Sequence, residues 1–105
     1  ERPELIRLLR WEALMFDGEV PDEAQRQEYY GYKSAAVVEG QEAGAITRDI
    51  DAEHLILFVL SVAGWWSTMP QVTRMLCGLP TEEEHRRRRA AVVAAARRLA
   101  APRTA

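Results

Sequence analysis

One cysteine, Cys77, stands in 105 residues. A disulfide framework or a thiolate metal cluster needs more than that, so a reducing cytoplasm is the expected compartment. The chain has no Gly-rich phosphate loop, nucleophile elbow or HExxH pattern, and no internal repeat, low-complexity linker or targeting segment. Its net charge of -2 gives no general attraction to nucleic acid. A bilayer-spanning run is missing too. The strongly apolar stretch Leu55 to Trp66 is about 12 residues, a span needs about 20, and Ser67, Thr68, Pro70 and Gln71 follow at once. No membrane partner, cofactor or enzymatic activity is therefore expected. The chain opens at Glu1 without a methionine and runs almost directly into a helix, so we expect a fragment whose N-terminal part lies upstream.

At 48% hydrophobic and 29% charged, the composition is that of one globular domain covering residues 1–105. Its centre is Asp51 to Gly78. Between Leu55 and Thr73 there is no Asp, Glu, Lys or Arg, which predicts a buried central helix. Asp51 suits the N-cap, Glu53 the first turn, and Ile50 can staple onto Leu55. Gly78 and Pro80 end the helix. Pro70 removes the hydrogen bond to the Trp66 carbonyl, which predicts a kink or restart re-capped by Ser67 or Thr68. At 100° per residue, Phe58, Val62, Trp65, Met69, Val72 and Leu76 share a bulky face, flanked by Leu55 and Trp66. Leu57, Ser61, Gly64, Thr68, Gln71 and Met75 lie opposite, on a smaller face that admits another helix.

The first helix is predicted over RPELIRLLRWEALMFDG, with Pro3 at its first position and Asp17-Gly18 as its stop. Leu5, Leu8, Leu9, Met15 and Phe16 are expected to face inward. Glu12 falls in the middle of that face, so its carboxylate needs a partner. The partner is either internal (His54, Arg48, Arg74 or a tyrosine hydroxyl) or a bound ligand. The second helix is expected from a cap at Asp22 to Ala43, with Gly44 as its stop. Its inward face is semi-polar: Tyr30, Gly31, Ser34, Val37, Val38 and Gln41, with Gln27 near one end. Such polar groups are satisfied within the protein or orient a ligand on a cavity wall. The last helix is expected from the capping box Thr81-Glu82-Glu83-Glu84 to about Ala101, with an apolar face of Val92, Val93, Ala96, Leu99 and Ala100.

Arg86 to Arg89 points four ways around that helix, and Glu82–Arg86, Glu83–Arg87 and Glu84–Arg88 stand in the favourable i,i+4 order. A solvated, self-paired turn is the better reading than a phosphate-binding patch. Asp51-x-x-His54 and Glu82-x-x-His85 imitate the elements of di-iron bundles but fall in first turns, where acids are expected anyway. No metal site is expected.

These residues together predict an all-α bundle of about four helices. A cavity is expected between the first three, walled by Trp11, Met15, Phe16, Tyr30, Phe58, Trp65 and Met69, with Glu12 and Ser34 as polar members. The small faces, Leu57/Ser61/Gly64/Thr68/Gln71 and Val92/Val93/Ala96/Leu99, are the expected seam of a homodimer.

RPELIRLLRWEAL resembles a stretch of the regulatory domains of tetracycline-repressor (TetR) family transcription regulators. So does EGQEAGAITRDIDAEHLILFVLSVAGWW, and MPQVTRMLCG with a final Arg/Ala-rich helix completes the pattern. The resemblance implies a C-terminal helical domain that dimerises through its last two helices and senses a small effector; the aromatic and Met side chains of the expected cavity suggest a largely apolar one. In that family an N-terminal helix-turn-helix contacts DNA. None is present in this chain, so DNA contact is expected only through that absent part. The alternative is a helical homodimerisation or interaction domain that binds no ligand.

Overall fold

The computed structural model describes residues 3–103. Arg2, the first residue of the stretch expected to form the first helix, lies outside the described residues. Five helices follow in order: α1 Pro3–Met15, α2 Glu23–Glu42, α3 Ala52–Thr68, α4 Pro70–Cys77 and α5 Glu82–Ala100. No strand occurs among the described residues. The centre is α3, against which each of the other four helices packs. The expected break at Pro70 is sharp: α4 leaves α3 at 82°. No single described helix is long and apolar enough to cross a membrane.

Local chemistry accounts for the boundaries. Pro3 opens α1, and Gly18, at φ 110°, turns the chain away after it. Gly44 takes φ 78° after α2, a left-handed conformation that costs glycine little. Thr81 accepts a hydrogen bond at its side chain from the Glu84 amide at 3.1 Å, so the predicted cap of α5 forms. Two other predicted caps do not. Asp22 sits at φ 52° and Asp51 at φ -57°, and neither side chain makes a capping bond. Nor do Ser67 and Thr68 re-cap the chain at the break: the N-cap of α4 is Met69. The Thr68 hydroxyl donates backwards to the Gly64 carbonyl at 3.0 Å, as Ser61 does to Leu57 at 2.8 Å. A hydroxyl inside a helix has that carbonyl within reach and satisfies itself there.

The loop between α2 and α3 is held by polar groups. Gln41 donates through Nε2 to the carbonyls of Thr47 and Ile50, at 3.0 and 2.8 Å. The buried Thr47 donates its amide to the Ala100 carbonyl at the end of α5, at 2.8 Å. That bond ties the loop to the last helix. Gly40 is the point of closest approach: a Cβ there would lie 2.5 Å from Ile46 Cδ1.

Much of the apolar surface faces outward. Among the described residues only Ala52 and Leu55 are buried hydrophobic residues, and the accessible surface is 8909 Å². A compact monomer of 11.9 kDa would expose about 6,000 Å². The radius of gyration is 16.1 Å, against about 13 Å for a compact domain of this length. Several inward assignments are corrected accordingly. On α1, Leu5, Leu8, Leu9 and Met15 are exposed, as is Phe16 just beyond it, and the half-buried residues are Ile6, Arg10 and Glu12. On α2, Ser34, Val37 and Gln41 are half-buried as expected, but Tyr30, Gly31 and Val38 are exposed, and Gly40 and Arg26 turn inward. On α3 the covered stripe is Leu55, Ile56, Val59, Val62 and Trp66, while Phe58 and Trp65 stand outside it. The reason is geometric: α1 docks on α3 through its polar edge, which turns its leucine stripe away.

Gln41→Ala should lower stability to denaturant by about 1–3 kcal/mol, because two part-buried carbonyls lose their donor. An unchanged unfolding midpoint would mean that this clamp does not hold the loop.

Candidate functional site

The broken end of α3 and the inner edge of α1 face each other across a groove. The helix breaks ahead of Pro70, so the last carbonyls of α3 are not met by the amides of the next turn and need other donors. Arg10 supplies them: its Nη1 donates to the carbonyls of Ser67 and Thr68, at 3.1 and 2.9 Å. A cation at a helix C-terminus also meets the negative end of the dipole. Beside this contact lies a groove of about 640 Å³, lined by Arg7, Arg10, Trp11, Ala13, Leu14, Thr68 and Met69. The volume falls in the range of small-molecule sites, and the lining has their mixture of apolar walls and a few polar groups.

Of the expected cavity wall, Trp11 and Met69 meet in this groove. Met15, Phe16, Tyr30, Phe58 and Trp65 are exposed elsewhere and do not line it, and Ser34 is half-buried on α2. Leu14 and the two arginines were not anticipated, although their i,i+3 and i,i+4 spacing on α1 (Arg7, Arg10, Leu14) marks one edge of the helix. Glu12 has an internal partner, but it is none of the four proposed. Arg26 of α2 donates to both carboxylate oxygens, each at 2.8 Å. This fork-to-fork pair holds the Glu12 carboxyl below the usual carboxylate range, chiefly through the hydrogen bonds. The pair straps α1 to α2 across the Gly18 turn.

A second groove, about 580 Å³, runs between α3 and α5. Ala63, Trp66 and Ser67 line it from one side, and Arg86, Arg89, Val92 and Val93 from the other. Of the expected seam, Val92 and Val93 lie here. Val92, Ala96 and Leu99 are half-buried, whereas Val93 is 41% exposed. Leu57 and Ser61 are on the exposed side of α3, and a Cβ added at Gly64 would meet nothing within 4 Å. Gln71 is exposed on α4, and Thr68 turns to the first groove.

Arg86, Arg87 and Arg88 of the arginine run are paired, in a shifted register. Arg86 reaches Glu83 at 2.7 Å, and Glu84 takes Arg87 at 3.8 Å and Arg88 at 3.6 Å; only the last is a predicted pair. Arg88 is not solvated. It lies over the Trp66 ring, 5.4 Å from its centroid, with a side chain 14% exposed. The spacing Glu84, Arg88, Val92, Leu99 places it on the inner edge of α5, which is the signal that could have found it. His54 lies 3.9 Å from Asp51, both well exposed, and among the described residues no three His, Cys, Asp or Glu side chains converge on a point that could hold a metal.

Residues 1–98 match the family model described as "Tetracyclin repressor-like, C-terminal domain". Over 77 residues the chain is 47% identical to the HTH-type transcriptional repressor SCO4008 of Streptomyces coelicolor, an overlap covering 72% of this chain and 40% of that protein. The chain belongs to the tetracycline-repressor-like C-terminal domain family and is a regulatory domain; it spans less than half the length of the repressor it matches.

Glu12→Gln should lower the melting temperature at pH 7. Because the folded carboxyl titrates below its unfolded value, the stabilisation is present above the unfolded pKa and fades as pH falls through the folded one. The gap between wild type and variant should therefore close on acidification below about pH 4. A gap that persists unchanged at lower pH would contradict the assignment of the effect to the ionised pair.

Proposed function

We propose that this domain joins two copies of a repressor and senses a small, largely apolar effector, so that the effector alters DNA binding by a part of the protein outside this chain. The carrying observation is the groove between α1 and the broken end of α3, where Trp11, Leu14 and Met69 offer apolar contact beside Arg7 and Arg10. Its placement supports sensing, because one wall belongs to α1 and the other to the broken end of α3. Effector binding then shifts a population between two dimer geometries. The partner in the dimer is a second copy laid against α3 and α5, and the compartment is the cytoplasm.

The uncovered face of α3 supports the dimer. Leu57, Phe58, Leu60 and Trp65 are each 45–59% exposed along one side of the most apolar helix. Excess surface of this size is what an obligate homodimer interface would cover.

Two measurements check this reading. A bound effector should change tryptophan fluorescence and, at about 100 times its Kd, add about 2.7 kcal/mol to stability by mass action. Failure of apolar compounds to do either would favour an interaction domain without a ligand. Gly64→Arg should convert the dimer to monomer or aggregate in sedimentation. A variant that keeps the wild-type dimer mass and stability would place the seam elsewhere.

A further inference from the structure

Arg10 stands between two grooves. On one side are Trp11, Leu14 and Met69, and on the other Pro3, Ile6, Ser67 and Pro70. Residues 67–70 thus form the partition, and Arg10 is bonded to its carbonyls. Among the described residues no carboxylate pairs with Arg10, so these carbonyls are its recorded partners. The backbone on either side of the partition has its own bonds: Met69 donates to Trp65 at 2.9 Å, and the buried Thr73 donates its amide and hydroxyl to Met69, each at 3.1 Å. Between them, at Ser67 and Thr68, the chain turns through 82° with a side chain from another helix as the donor.

We propose that Arg10 is a positioning residue that latches α1 to the end of α3, sets the angle between α3 and α4, and couples occupancy of the groove to that hinge. The coupling rests on the groove being the effector site. The guanidinium is itself part of the groove wall. A molecule seated against Trp11 and Leu14 competes with it for the space beside Met69 and binds the unlatched form better. That difference in affinity is what shifts the hinge. The output is a loosened α4, not a change in the α2–α3 loop, whose bonds to Gln41 and Ala100 involve neither Arg10 nor the partition.

Amide hydrogen exchange on the whole chain tests this, with Arg10→Gln, Arg10→Lys and 1-anilinonaphthalene-8-sulfonate as an apolar probe. Arg10→Gln should speed exchange of the Val72 to Cys77 amides by about tenfold or more, with α5 and the first half of α3 within about twofold of wild type. Arg10→Lys, which keeps the cation, should restore part of the protection. The probe should loosen the same amides in wild type and add nothing further in Arg10→Gln. Unchanged α4 exchange in Arg10→Gln, or an equal rise in every helix, would overturn the latch. A latch that responds to Arg10→Gln while the probe fails to bind would overturn the coupling and the effector groove, and leave the hinge contact standing.

Discussion

A helix that is apolar around most of its circumference must be covered around most of its circumference. That constraint falls on α3. Its mean composition leaves no charged residue from Leu55 to its end at Thr68, and the other four helices cover one side of it. The uncovered side carries large side chains, at a cost of about 25 cal/mol for each Å² of apolar surface left in water. The surface beyond that of a compact monomer is the consequence. It divides between the outer side of α3 and the leucine stripe of α1, so one partner surface does not account for both.

Polar contacts, not a deep core, set how the helices sit. Arg10 finishes the broken end of α3, the Glu12–Arg26 pair straps α1 to α2, and Gln41 with Thr47 binds the loop to α5. Each bond fixes a direction, which an apolar contact does not. The break at Pro70 is the origin of the first of these. With the chain restarting at Met69, the Val72 and Thr73 amides go to the Met69 carbonyl, and Arg10 serves the Ser67 and Thr68 carbonyls. The groove follows from the same event, because a helix that turns aside at Met69 leaves space beside α1 that a straight one would fill.

The helix boundaries were legible because local chemistry decides them: Pro3, Gly44, Pro70 and Thr81 act within one turn of their own positions. The facing of the helices was less legible. A stripe such as Leu5, Leu8 and Leu9 shows that a surface is to be covered, but not which surface covers it, and within the described chain nothing does. Glu12 was readable as a carboxylate needing a partner. Arg26 was not legible as that partner, because nothing in the sequence fixes which edge of the second helix meets the first across the Gly18 turn. Arg88 was hidden inside a run of four like residues, where only register against Glu84 and Val92 separates the inner one from the rest. The groove was partly legible through Trp11 and Met69, and its other aromatic candidates point to solvent.

Radical footprinting of the wild-type chain over a range of protein concentrations tests the central claim, that a second copy covers the outer side of α3. Leu57, Phe58, Leu60 and Trp65 should lose reactivity together as concentration rises, while Leu76 and Met75 on α4, equally apolar and 82% and 77% exposed, should not. Reactivity at those α3 residues that stays high and independent of concentration would contradict the account.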